Sequence, residues 1–220
     1  MKGKQKIMKK KHNRLKINNI IKEYLLNNLK EYAIITLFFL IGIFLGIIFI
    51  NNSNEYQKEE INKYICTYIE NLKESKNINN LEVLKNDIKN NVILFLILWF
   101  SGTTIIGLPV VIGVITYRGF CLGYTISACT YVLGTWKAIG FTTLSMMLHN
   151  ILFIPILLSI GVSGIKLYKT IVKNKNKENI KVAVIKHTLF SFFLFMLVII
   201  TSLIKVCISG GLTDYFIKYF

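Results

Sequence analysis

The sequence predicts an all-α, polytopic membrane protein with about five transmembrane helices, and three observations carry that prediction. Hydrophobic residues make up 53% of the 220 residues. They are gathered into blocks long enough to cross a bilayer, which takes roughly 20 apolar residues per helix. The charge of +16, from 27 Lys+Arg against 11 Asp+Glu, is concentrated between those blocks.

Residues 1–31 are a basic segment. From Ile20 and Ile21 through Tyr24, Leu25 and Leu29 the apolar residues recur at helical spacing, as in an interfacial helix leading into the membrane. Residues 32–50 form the first span. The apolar stretch is too long for a typical signal-peptide core and has no small-residue cleavage site after it, so it reads as a retained anchor. Gly42 and Gly46 make a GxxxG pair within it, and Gly119 and Gly123 form a second GxxxG pair further along the chain.

Residues 51–91 are a polar, amphipathic extracytoplasmic loop. Ile61, Tyr64, Ile65, Tyr68, Ile69 and Leu72 recur at the i, i+3, i+4, i+7 spacing of one helix face. A second short helix is expected from Leu81, Leu84 and Ile88. Residues 92–165 are a Gly/Pro-rich core of three spans. The second runs from Val92 to Gly113, with Pro109 expected to kink it. A basic turn is expected at Tyr117-Arg118-Gly119. A short third span, either little tilted or partly re-entrant, runs from about Phe120, or a few residues earlier, to Leu133, and the fourth runs from Ala138 to Ile165. Residues 166–187 are a basic loop, 188–204 the fifth span, and 205–220 an extracytoplasmic tail.

With the amino terminus in the cytoplasm, 18 basic residues fall inside and nine outside. That asymmetry obeys the positive-inside rule. It accounts for the basic character through anionic lipids at the cytoplasmic face, without nucleic acid.

Chemistry-bearing motifs are scarce. There is no P-loop, GxSxG, HExxH or dinucleotide-binding turn. The four cysteines lack zinc spacing, so no metal, cofactor or catalytic residue is expected, and the chain does not read as an enzyme. Seven of the eleven acids lie in the 51–91 loop, interleaved with lysines as on a solvated helix face. The polar and small residues of the apolar region are candidates for assembly: Asn91, Gly102, Pro109, Arg118, Gly119, Gly123, His149, Asn150 and Pro155. Helix packing in lipid relies on such residues, because burial of apolar surface supplies no driving force there. Tyr64, Ile65, Tyr68 and Ile69 are candidates for partner docking, the alternative being that their stripe only caps the bundle.

Asn90-Asn91 entering a span, Gly102-Thr103 within it, Arg118-Gly119-Phe120 with Gly123, and Leu148-His149-Asn150-Ile151 together resemble the stage II sporulation protein M family. Leu148 stands where many members have Pro. The length, the basic amino terminus, the long first loop and the span number also resemble that family. The resemblance implies a non-enzymatic scaffold of the engulfment machinery in a Gram-positive spore former. Its place would be the mother-cell membrane at the asymmetric septum. Its partners would be sporulation proteins P, an amidase, and D, a lytic transglycosylase, which remodel peptidoglycan. A transporter or permease-like subunit is the alternative reading, with homodimerisation doubling the span number. It rests on the kinked core with His149 and Asn150, and it lacks an inverted repeat and an intramembrane carboxylate.

Overall fold

The structure is a computed structural model describing residues 23, 25–74, 80–104, 107–142, 148–173 and 179–217. The described residues are built from helices: α1 Leu29–Asn51, α2 Glu55–Glu74, α3 Asn80–Thr103, α4 Gly107–Leu133, α5 Thr135–Thr142, α6 Leu148–Lys173 and α7 Ile180–Ile217. Four of them, α1, α4, α6 and α7, are long and apolar enough to cross a membrane. The fifth long helix, α3, packs among them but turns apolar only at Val92, after Lys85, Asp87 and Lys89. Twelve residues from Val92 to Thr103 cover about 18 Å, short of a hydrocarbon core of about 30 Å. The polar half of α3 therefore begins inside the bundle rather than beyond it.

The main core lies where α1, α3, α4, α6 and α7 meet, around Ile35, Leu98, Ile115, Leu157, Ile160 and Val198. A second, smaller core joins the far ends of α1 and α4 to α2 and α5 through Ile50, Ile65, Ala128, Cys129 and Ala138. The outward faces remain apolar, with Phe44 and Ile48 on α1 and Leu189, Phe192 and Phe193 on α7 exposed. Such faces suit a lipid solvent.

The two GxxxG pairs find each other. Gly42 and Gly46 lie on the backbone of α4 at Thr116, Phe120 and Tyr124, while Gly119 and Gly123 lie on the backbone of α1 at Phe39 and Ile43. A Cβ at any of the four would fall well inside van der Waals contact with a carbonyl oxygen of the opposing helix. The order of these contacts makes α1 and α4 parallel neighbours at backbone-to-backbone distance, as small-residue pairs permit.

Several expectations about element ends are overturned. The basic turn at Tyr117-Arg118-Gly119 does not exist: α4 runs unbroken for 27 residues, so the third span is neither short nor re-entrant. The break lies earlier, between Thr103 and Gly107. Thr104 N–H donates to the Ser101 carbonyl and Gly107 N–H to the Thr104 carbonyl, each at 3.2 Å. A Cβ on Gly107 would collide with the Ser101 carbonyl, so the tight turn requires glycine there.

Pro109 consequently sits in the first turn of α4 and kinks nothing. Backbone N–H groups in a first turn have no intrahelical acceptor, so proline costs little at such a position. The expected short helix at Leu81–Ile88 is the first half of α3. The basic loop at 166–187 is mostly helix, because α6 extends to Lys173 and α7 starts at Ile180. The tail from Lys205 is helical as far as Ile217. At 38 residues, about 57 Å, α7 outruns any bilayer core.

A polar cluster that ties three helices together

Asn91 lies 2% exposed at the point where α3 becomes apolar. Its amide is fully used. Nδ2 donates to Asp87 Oδ2 at 3.0 Å and to Ser202 Oγ of α7 at 3.1 Å, while Oδ1 accepts from Arg118 Nη2 of α4 at 3.1 Å. Asp87 accepts from Lys205 Nζ through its other oxygen at 2.5 Å. The result is a chain of alternating polarity, Arg118–Asn91–Asp87–Lys205, across α4, α3 and α7. A lone buried amide would cost free energy; one with each partner supplied fixes helix register instead.

The cluster continues onto α6. The guanidinium of Arg118 lies over the Phe153 ring, 4.9 Å from its centroid. His149, one turn before Phe153, stacks on that ring at 5.2 Å with an interplanar angle of 21°. His149 Nδ1 reaches the Thr201 carbonyl of α7 at 3.3 Å. Arg118 is thus held as a charge inside the bundle by an amide oxygen and an aromatic face.

A second polar contact stands nearer the other end of the bundle. His187 of α7, 3% exposed, bonds Ser163 Oγ of α6 through Nδ1 at 2.8 Å. Its Nε2 lies buried against Gly102 of α3, without a hydrogen-bond partner among the described residues. Gly102 in turn faces Gly164 of α6, where two absent Cβ atoms let the helices touch. At that end Glu31 of α1 pairs with Lys169 of α6 at 2.6 Å, and Tyr32 bonds Ser159 at 3.0 Å.

Of the residues singled out in the sequence, Asn91, Arg118 and His149 are brought together in one cluster. Gly102 joins the His187 contact, and Gly119 and Gly123 form the α1 crossing. Asn150 is half-buried beside the cluster. Pro155 sits inside α6, where its carbonyl accepts from Ser159 at 2.7 Å. Asp87, Ser202, Lys205 and His187 escaped the sequence reading. The heptad-like run His187, Ser191, Leu194, Val198 and Ser202 carried the signal that His187 faces inward.

The docking candidates divide. Ile65 is buried against Ala128, Cys129 and Ala138, and Ile69 packs beside it, so the aliphatic part of the stripe caps the bundle and is not free for a partner. Tyr64 is 75% exposed and Tyr68 49%. Tyr56 on the same helix and Trp136 at the start of α5 are exposed as well. Among the described residues no group of three metal-ligating side chains converges.

A family model for stage II sporulation protein M matches residues 35–212. The chain belongs to the stage II sporulation protein M family. The match begins within α1, takes in all five long helices and ends within α7, so this sporulation membrane protein carries the family signature across its whole helical bundle. No curated relative and no solved structure matches the chain significantly.

Proposed function

We propose that this family member is a non-enzymatic membrane scaffold of the engulfment machinery, holding peptidoglycan-degrading partners at the asymmetric septum. The family match over residues 35–212 carries the reading. The site is compatible with it: Asn91, Asp87, Ser202, Lys205 and Arg118 bond one another across α3, α4 and α7, which suits a rigid platform. Sporulation proteins P and D are the proposed partners, by family resemblance. The proposed place is the mother-cell membrane at the septum.

The proposed topology has five spans, α1, α3, α4, α6 and α7, with the amino terminus in the cytoplasm. With Arg118 moved from a loop into the bundle, 17 basic residues lie on the cytoplasmic side and nine on the other. The polarity of the positive-inside assignment is therefore kept. This topology would put α2 and α5 outside, on the side of the wall, with Tyr64 exposed and Tyr68 half-exposed.

Affinity purification of the tagged protein from sporulating cells tests the proposal. The amidase and the transglycosylase are expected to co-purify, and to lose their septal position in cells lacking this chain. Undisturbed enzyme localisation, with Arg118-dependent solute flux in proteoliposomes, would replace the scaffold by a transporter.

A further inference from the structure

The cluster around Asn91 holds more positive charge than its own residues neutralise. Lys205 has its carboxylate in Asp87. Among the described residues no carboxylate bonds Arg118. Its Nη2 donates to a neutral amide oxygen, and Nε is buried without an acceptor. Glu31 is committed to Lys169 at the opposite end of the bundle. Arg118 and Lys205 set against Asp87 leave one cation over, at a depth where an unmatched charge is costly.

A guanidinium is a rigid fork of donors suited to the oxygens of a carboxylate or a phosphate. Its position favours phosphate. Lys85 and Lys89 are exposed on α3 within two turns of Asn91, and Lys205 keeps 32% of its side chain exposed, one turn beyond Ser202. The charged headgroup zone on the α3/α7 side therefore starts about one turn, roughly 5 Å, from the Arg118–Asn91 bond. Arg118 is itself only half-buried. A phosphate seated at that level beside the Arg118–Asn91–Asp87–Lys205 chain would meet both cations.

We propose that Arg118 and Lys205 form a binding site for the phosphate of an anionic phospholipid, in the leaflet at the Lys205 end of the bundle. The lipid supplies the negative charge that the cluster lacks and fixes the level of α3 in the membrane. The site does not depend on the scaffold reading.

Native mass spectrometry of the full-length protein, titrated with phosphatidylglycerol, tests this. One phosphatidylglycerol is expected to bind wild type at least about tenfold more tightly than diacylglycerol of the same chains, a difference of about 1.4 kcal/mol. Arg118→Gln and Lys205→Gln should each lose most of that preference, Arg118→Lys should keep much of it, and Lys173→Gln, far from the cluster, should keep all of it. If Arg118→Gln does not fold, Lys205→Gln and Arg118→Lys still decide. Equal preference in wild type and Lys205→Gln would overturn the site. Displacement by millimolar inorganic phosphate would make free phosphate the ligand and overturn the lipid assignment. So would stabilisation of wild type by a poly-leucine membrane helix bearing one Glu in place of the lipid, since the anion would then be a partner's carboxylate.

Discussion

Replacing Asn91 by Leu tests the idea that the bundle is held in register by its polar cluster. The change keeps side-chain volume nearly constant and removes three hydrogen bonds at once, to Asp87, Ser202 and Arg118. Two of these cross between helices. Interhelical hydrogen bonds in membrane proteins average about 0.6 kcal/mol and reach about 1.7 kcal/mol. The pair alone therefore accounts for about 1–3 kcal/mol. The loss is greater at Arg118, where a half-buried guanidinium gives up its described acceptor, and bonds to charged groups are worth about 1.5–3 kcal/mol. Taken together, Asn91→Leu should destabilise by about 2–4 kcal/mol, which exceeds what any one average interhelical bond supplies. Steric trapping or mild-denaturant unfolding in detergent micelles measures this, with Trp99 and Trp136 as intrinsic reporters. The double change with Ser202→Ala should be less than additive, because both remove the same bond. A cost under about 0.5 kcal/mol, or full additivity with Ser202→Ala, would refute the claim that the cluster sets the helix register.

Three further perturbations address other parts of the structure. Gly119→Leu forces α1 and α4 apart where their backbones touch, and should cost about 1–3 kcal/mol or more, seen as lowered membrane abundance; Gly113→Leu, at an open position on the same helix, should be tolerated. Tyr64→Ala with Tyr68→Ala removes two exposed aromatics from α2, so capture of wall-degrading partners should fall while thermal stability stays near wild type; Ile65→Ala should do the reverse, because Ile65 belongs to the capping core. In intact cells a membrane-impermeant maleimide should label the exposed Cys66 of α2, while a cysteine placed at Lys169 should stay unlabelled; the opposite pattern would invert the topology.

The membrane character, the helical class and the interior polar residues were legible in the sequence because lipid leaves few alternatives. A long apolar run must be a helix there, and a polar residue in it must face protein. The two GxxxG pairs were visible, although nothing in their spacing said that each was the other's partner. The helix ends were less legible. Tyr117-Arg118-Gly119 looks like a turn because charge and glycine commonly mark one. Arg118 instead stays inside a helix because Asn91, 27 residues away, and Phe153, 35 residues away, receive it. Pro109 reads as a kink only if its helix begins earlier; Gly107, the glycine that opens that helix, moves it into the first turn. Asp87 and Lys205 looked like loop and tail residues, and their pairing joins α3 to α7 over 118 residues of sequence. Such long-range pairs leave no local pattern. The docking stripe looks like one surface, but α4 reclaims its isoleucines through Ala128 and Cys129, and no periodicity on α2 foretells that.

Under the proposed scaffold role, this chain holds wall-degrading enzymes in place and moves no solute itself. The most direct measurement is quantitative recovery of the amidase and the transglycosylase with the tagged protein from sporulating cells, in wild type and in Tyr64→Ala with Tyr68→Ala. The account predicts recovery in amounts comparable to the bait for wild type, and a marked loss in the variant at unchanged bait level. Absence of both enzymes from the wild-type complex, isolated intact and correctly localised, would contradict it.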